Sequence, residues 1–217
     1  MSNGLAFIHR FEPGNRLEGP PLLLLHGTGG DENDLLPLGR AIAPGAALLS
    51  PRGKVLENGM PRFFRRLAEG IFDEDDLRRR TNELADFVGE ARNHYGLAAP
   101  IVLGYSNGAN IAAAMLLLRP DVLAGAMLLR AMAPLREVPN SDSEGNLAGK
   151  PVLIVSGQSD PIIPPGNSAE LAAILTNAGA SVQHRKLPVG HPLSQADVFV
   201  AHKWISDLHE RASVRTS

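Results

Sequence analysis

The sequence has no cysteine, so disulfides, thiolate metal sites and a cysteine nucleophile are all excluded. It also lacks long apolar stretches: runs such as residues 22–25 and 112–118 are far too short to span a bilayer, and the N-terminus has no signal-peptide core. The net charge is only −2, from 21 basic and 23 acidic residues, which gives no electrostatic case for nucleic acid or an anionic membrane surface. We therefore expect a cytoplasmic protein that has neither a membrane span nor a nucleic-acid partner.

The composition is that of a protein with a substantial core. Hydrophobic residues make up 44% of the 217 positions and charged residues 20%. A chain of this length builds one domain comfortably, whereas two would be cramped. We predict a single α/β domain over residues 1–217, with a frayed tail at about 211–217.

Short apolar runs alternate with segments of helical periodicity along the chain. The predicted strands cover residues 5–11, 22–25, 46–50, 101–103, 123–129, 151–156 and 181–187. The predicted helices cover residues 32–41, 76–95, 109–118, 168–178 and 194–209. This alternation predicts a mainly parallel sheet with helices on both faces, in which ligands bind beyond the carboxyl ends of the strands.

The segment Gly104-Tyr105-Ser106-Asn107-Gly108 matches the motif G-x-S-x-G between a predicted strand and a predicted helix. A sharp strand-to-helix turn strains its central residue, and flanking glycines remove the Cβ atoms that would clash there. This geometry lifts the Ser106 hydroxyl above the sheet, where it is a candidate nucleophile. The alternative interpretation is an ordinary serine in a tight turn.

A glycine-rich loop, residues 26–30, follows the strand at residues 22–25. We interpret it as half of an oxyanion hole, in which the backbone N–H groups of Thr28 and Asn107 face the oxygen of a tetrahedral intermediate. The alternative is a plain glycine-rich strand-to-helix loop, with or without a bound phosphate, but the segment matches neither G-x-G-x-x-G nor a P-loop. His26 heads this loop and is expected to be structural.

A serine nucleophile needs an imidazole to accept its proton and a carboxylate to orient that imidazole. Among the seven histidines, His191 lies in a glycine-containing loop just past the carboxyl end of a predicted strand, and it is the candidate base because His26, in the other such loop, is expected to be structural. Asp160 follows the strand at residues 151–156 at the same edge of the sheet, which makes it a better candidate than Asp121 or Asp142. The order Ser106, Asp160, His191 is the one expected for an α/β-hydrolase.

Residues 52–76 form the least regular part of the chain, yet they carry several large apolar side chains. One interpretation is a short lid that supplies the walls of a substrate cleft, and the other is a loop pinned to the core by its aromatic residues. Met60, Phe63, Phe64 and Met132 are the candidate residues of an apolar substrate pocket. We expect Arg62, Arg65 and Arg66 to pair with the acidic residues at 73–76.

Four segments together resemble the phospholipase/carboxylesterase family of α/β-hydrolases, which also includes acyl-protein thioesterases. They are HGTGGD at residues 26–31 with Asp34 and Leu35, GYSNGA at 104–109, GQSDPIIP at 157–164, and Gly190-His191. The resemblance implies a compact serine hydrolase with no large cap domain, and it is compatible with a homodimer. Asn107 occupies a position where the family often has Gln or Gly, and the polar loop at 130–150 matches no family pattern.

The predicted function is hydrolysis of carboxylic esters with small to medium acyl chains, through Ser106, His191 and Asp160, without a metal or other cofactor. A thioesterase or a lysophospholipase would use the same three residues, so the motifs do not separate these activities. A non-catalytic binding protein on the same scaffold is the alternative of another class, although it would have no need for all three residues.

Overall fold

The computed structural model describes residues 5–15, 19–135 and 147–215 of the chain. Its centre is a seven-stranded sheet in the order β1-β3-β2-β8-β9-β10-β11. All neighbouring strands are parallel except β1, which pairs antiparallel with β3 at one edge. The strands of this sheet are β1 (His9–Glu12), β2 (Leu22–Leu25), β3 (Leu48–Pro51), β8 (Ile101–Tyr105), β9 (Gly125–Leu129), β10 (Pro151–Gly157) and β11 (Ser181–Leu187).

In the described part of the chain, five α-helices cover the sheet on its two faces. They are α1 (Leu36–Ile42), α2 (Glu74–Tyr95), α3 (Asn107–Leu118), α4 (Asn167–Asn177) and α5 (Gln195–Arg215). Helices α2, α3 and α4 contribute to the hydrophobic cluster on one face, and α1 and α5 contribute to the cluster on the other. The predicted α/β-hydrolase architecture, a mainly parallel sheet between two helical layers, is confirmed.

The four consecutive leucines of β2 show why the central strands are apolar at every position. Leu23 and Leu25 belong to the cluster under α2 and α3, whereas Leu22 and Leu24 belong to the cluster under α1 and α5. Successive side chains of a strand point to opposite faces, and here both faces are covered. A strand of this kind therefore reads as a continuous apolar run.

The segment at residues 52–76 is more regular than the sequence predicted. It contains two small antiparallel hairpins, β4 (Val55–Glu57) with β5 (Met60–Arg62) and β6 (Arg66–Ala68) with β7 (Ile71–Phe72). The first turn is Asn58-Gly59, with positive φ angles of 52° and 80°. An Asn-Gly pair favours a two-residue hairpin turn of this type, so the sequence did contain the signal for it.

Several element boundaries also differ from the predictions. Helix α1 begins at Leu36, because the Asp31 carboxylate accepts a hydrogen bond from the Asn33 backbone N–H (2.7 Å) and holds a turn before the helix. Helix α5 continues past His209 to Arg215, into the tail that we expected to be frayed.

Most of the polar loop predicted at 130–150, including Asp142, lies outside the described residues. Within the described residues, no helix is both long and apolar enough to cross a membrane.

Candidate active site

The turn between β8 and α3 holds Ser106 in a strained backbone conformation, with φ 52° and ψ −115°. The turn is tight because α3 packs directly on the end of β2: a Cβ atom at Gly108 would lie 2.0 Å from the carbonyl oxygen of Leu25. The Ser106 N–H donates to the carbonyl of Leu129 (2.9 Å), which ties the turn to the neighbouring strand β9. The strain at Ser106 is thus maintained by the packing around it, as is usual for functional positions.

A chain of two hydrogen bonds connects Ser106 to Asp160 through His191. The Nε2 atom of His191 lies 3.0 Å from Ser106 Oγ, and its Nδ1 atom lies 2.8 Å from Asp160 Oδ2. Because an ionised carboxylate can only accept, Nδ1 carries the proton and Nε2 accepts from the serine hydroxyl. This arrangement suits an imidazole that removes a proton from Ser106.

Backbone donors fix the orientation of the Asp160 carboxylate. Its Oδ1 atom accepts from the N–H groups of Ile162 (2.9 Å) and Ile163 (3.2 Å), while Oδ2 faces His191. The side chain of Asp160 is only 2% exposed, so its contact with the imidazole is shielded from water. The competing candidate Asp121 lies in a short 3₁₀ turn, Pro120–Val122, between the carboxyl end of α3 and the start of β9, away from this edge.

His26 braces the glycine-rich loop from within the protein. It is buried, its Nδ1–H donates to the carbonyl of Gly27 (2.6 Å), and its Nε2 accepts from the Gly53 N–H (3.0 Å). Burial lowers the pKa of His26 below its ordinary value of 6.5, despite the opposing effects of the Gly27 carbonyl and nearby acidic residues. A neutral imidazole therefore joins the glycine-rich loop to the segment that precedes the first hairpin.

Ser106 opens into a cavity of about 330 Å³ between the hairpins and the carboxyl edge of the sheet. Thr28, Asn107 and His191 line this cavity together with Ser106, so both residues predicted to form the oxyanion hole border the same cavity as Ser106. The remaining lining residues are Arg62, Arg66, Glu69, Gly70, Phe72, Tyr105, Asn110, Met132, Ile162 and Ile163.

The predicted substrate pocket requires correction. Met132 lines the cavity, but Phe63 and Phe64 are 2% and 0% exposed and pack in the hydrophobic core, so they have almost no surface to offer a ligand. Met60 is 40% exposed on the first hairpin, over Gly29, and does not line the cavity. Phe72 is the aromatic residue of this segment that faces the cleft.

Asn107 anchors the segment in which the two buried phenylalanines lie. Its side-chain Oδ1 accepts from the Phe63 backbone N–H (2.8 Å), so the connection between the hairpins is anchored to the residue that follows Ser106. The segment at 52–76 therefore combines the two interpretations that the sequence left open. Its aromatic residues pin it to the core, and its second hairpin forms one wall of the cleft.

Two arginines that line the cavity have partners other than those predicted. Arg65 pairs with Asp73 as expected, but Arg62 and Arg66 both contact Glu57 (3.2 Å and 2.7 Å). The hydrogen bond from Arg66 lowers the pKa of Glu57. Arg62 also donates to Thr28 Oγ1 (2.6 Å), and burial lowers the pKa of its guanidinium. Glu57 and Thr28 become neighbours of these arginines only in the folded hairpins. The sequence analysis treated residues 52–76 as an irregular loop and therefore did not predict these partners.

A second serine–histidine hydrogen bond joins neighbouring strands: Ser156 Oγ lies 2.8 Å from His184 Nε2. Burial and the charge of Lys186 lower the pKa of His184. Ser156 lies within the regular strand β10, in register with Lys186, and lines a different cavity of about 290 Å³. Its backbone is not in the strained conformation of Ser106, so it serves as a natural comparison for that residue.

Among the described residues, no group of three or more acidic or histidine side chains could hold a metal ion.

Comparisons with known proteins show the family of the chain. The family model of the phospholipase/carboxylesterases matches residues 11–209. MhqD of Bacillus subtilis strain 168 is 50% identical over 188 residues, which are 86% of this chain and 92% of MhqD. A Bacillus cereus carboxylesterase structure is 48% identical with a TM-score of 0.88, over 93% of this chain and 94% of that one. A carboxylesterase structure from Mesorhizobium loti is 35% identical with a TM-score of 0.87, over 94% and 96%. The chain therefore belongs to the phospholipase/carboxylesterase family of α/β-hydrolases and is a hydrolase.

Proposed function

We propose that the chain hydrolyses carboxylic esters through a covalent acyl-enzyme formed on Ser106. The observation that carries this proposal is the chain of hydrogen bonds from Asp160 through His191 to Ser106, at the wall of a cavity. The carboxylesterases of Bacillus cereus and Mesorhizobium loti, which are similar over nearly the whole chain, support an ester as the substrate.

In the proposed mechanism, His191 Nε2 removes the hydroxyl proton while Ser106 Oγ attacks the acyl carbonyl carbon. Asp160 stabilises the resulting imidazolium. The backbone N–H groups of Thr28 and Asn107 stabilise the oxyanion of the tetrahedral intermediate. His191 then gives its proton to the leaving alcohol. In the second half-reaction His191 deprotonates a water molecule, which attacks the acyl carbon. The bond from that carbon to Ser106 Oγ then breaks, His191 returns the proton to Ser106 Oγ, and the carboxylic acid is released.

The cavity limits the size of the acyl group. At about 330 Å³ it lies near the lower end of the range for ligand pockets, about 300–1,000 Å³. Met132, Phe72 and Ile163 give it apolar surface for a short acyl chain, and Arg66 and Glu69 make other parts of its wall polar. We therefore propose esters of small to medium acids as substrates.

The two serine–histidine pairs provide a matched test with p-nitrophenyl butyrate. Ser106→Ala should lower kcat by at least about ten-thousand-fold, because it removes the nucleophile. Ser156→Ala, which breaks the other serine–histidine hydrogen bond, should retain nearly full activity. A Ser106→Ala protein that hydrolyses the ester at the parent rate would rule out the proposed mechanism.

A further inference from the structure

Arg130 is a charged residue in the protein core. It follows β9 directly, its side chain is 0% exposed, and its backbone has a positive φ of 57°. A left-handed backbone is unfavourable for any residue with a Cβ atom, and burial of a guanidinium is costly unless all its donors are satisfied. Arg130 directly follows Leu129, whose carbonyl accepts a hydrogen bond from the Ser106 N–H. Both costs are therefore tolerated at a position close to Ser106.

The guanidinium of Arg130 holds the backbone on both sides of His191. Its Nε–H donates to the carbonyl of Gly190 (2.9 Å), and Nη2 lies 3.4 Å from the carbonyl oxygen of Pro192. The intervening carbonyl, that of His191 itself, accepts from the hydroxyl of Tyr105 (3.2 Å). The three consecutive carbonyls of residues 190–192 are thus bound by the side chains of Tyr105, at the end of β8, and Arg130, directly after β9.

Asp197, near the start of α5, fixes the guanidinium in turn. Its two carboxylate oxygens accept from Nη1 (2.8 Å) and Nη2 (2.9 Å) of Arg130, and its side chain is also 0% exposed. Oδ2 of Asp197 accepts further from the backbone N–H and the hydroxyl of Ser194 (2.8 Å each). A bidentate pair of this kind has a single geometry, which a lysine could not reproduce.

From these contacts we infer that Arg130, with Asp197 as its counter-ion and Tyr105 as a second donor, is a positioning residue for His191. The loop at residues 190–192 has no regular ladder to satisfy its carbonyls, and Arg130 supplies donors from a rigid, buried plane. It thereby keeps the imidazole at hydrogen-bond distance from Ser106 Oγ. The inference rests on the proposed function, since it concerns how the proposed base is held.

The test separates a loss of position from a loss of stability. Arg130→Met with Asp197→Leu removes both buried charges together, because removal of one alone would leave the other unpaired. Val88→Ala, a truncation on α2 in the opposite layer of the core, is the control for reduced stability without contact to the loop. Each variant is compared for thermal unfolding, kcat and KM on p-nitrophenyl butyrate, and the downfield NMR signal of the His191 Nδ1 proton.

For the double variant we expect kcat to fall about 10–100-fold with little change in KM, since a displacement of about 1 Å at a catalytic group costs about a hundredfold. The Nδ1 proton signal should weaken or shift. Arg130→Lys should recover only part of the rate, and Val88→Ala should keep the parent kcat and signal at temperatures where it is folded. A folded double variant with kcat within about twofold of the parent would overturn the inference.

If neither Arg130 variant folds, Tyr105→Phe decides the question, because it removes only the hydroxyl that donates to the His191 carbonyl. A several-fold decrease in kcat at constant KM supports the inference, and an unchanged kcat overturns it. The Ser106→Ala variant tests the proposed function and not the positioning role. If Ser106→Ala is inactive while the Arg130 and Tyr105 variants are fully active, the proposed function survives and only the positioning role fails.

Discussion

Ser106 is the residue at which local strain and chemistry meet. Its φ of 52° with ψ of −115° lies outside the regions that L-residues prefer, and only glycine occupies such conformations without strain. The helix behind it and the Leu129 carbonyl beside it hold this conformation. The strain should therefore be measurable as a difference in the free energy of unfolding between two variants that differ only in a Cβ atom.

We predict that Ser106→Gly is more stable than Ser106→Ala by about 1 kcal/mol, because glycine relieves the strain that alanine keeps. Urea unfolding of the two variants gives this difference directly. The same pair of substitutions at Ser156 serves as the control. There the order should reverse, because glycine weakens a regular strand. Equal stabilities for the two Ser106 variants would mean that its backbone is relaxed.

At the scale of elements, the site depends on the close approach of α3 to the end of β2. The helix is buried along nearly its whole length, and its small residues let it lie against the sheet. Gly108 marks the closest contact, since a Cβ atom there would also lie 2.6 Å from the carbonyl oxygen of His26. Helix α2 is different, because Gly89 has open space around its missing Cβ.

A pair of glycine substitutions tests this difference. Gly108→Ala should destabilise the protein by about 1–3 kcal/mol, because the backbone of β2 must move. Gly89→Ala should instead stabilise it by about 0.5–1 kcal/mol, the usual gain when alanine replaces glycine within a helix. Both values follow from urea unfolding, and Gly108→Ala should also lose activity. A neutral Gly108→Ala would show that α3 can retreat from the sheet at no cost.

At the scale of the whole molecule, the parallel sheet brings distant segments to one edge. The loops after β2, β8, β10 and β11 carry Thr28, Ser106, Asp160 and His191, respectively. The same edge is braced by buried polar groups, among them the neutral His26 under the glycine-rich loop. Such groups link the stability of the fold to pH.

We predict that the free energy of unfolding decreases as the pH falls below about 6.5. The unfolded chain protonates His26 near its ordinary pKa of 6.5, whereas burial lowers the pKa of His26 in the folded protein. The unfolded state therefore binds more protons between the two values. The contribution of the neutral His26 to the free energy of unfolding is complete above pH 6.5. It is lost as the pH falls from 6.5 towards the lower pKa of His26 in the folded protein. His184, whose pKa is also lowered, acts in the same direction.

Urea unfolding between about pH 5.5 and 8 measures this effect before the carboxylates begin to titrate. His26→Asn should be less stable at pH 8, because it removes the bridge from Gly27 to Gly53, but its stability should vary less with pH. A parent protein whose unfolding midpoint stays constant through this range would contradict the assignment of a neutral, buried His26.

The sequence alone determined the features that depend on a few neighbouring residues or on the order of elements. The apolar run Leu22–Leu25 indicates a buried strand because both of its faces are covered. Gly104 and Gly108 indicate a sharp turn because a Cβ atom at either position would clash with the backbone. The G-x-S-x-G motif selected Ser106, and the rule that loops follow parallel strands at one edge selected Asp160 and His191. The structure places His191 within hydrogen-bond distance of both Ser106 and Asp160. Asn58-Gly59 also carried a readable signal, which our sequence analysis overlooked.

Only the tertiary structure decided which way side chains face and which distant groups become partners. Phe63 and Phe64 are buried in the core, in a segment that Asn107, far along the chain, anchors by accepting the Phe63 N–H, and Phe72 lines the cleft. Arg130 is buried because its donors find carbonyls at Gly190 and Pro192 and a carboxylate at Asp197. Local sequence sets backbone conformation over a few residues, whereas these contacts join segments that become neighbours only when the sheet is complete.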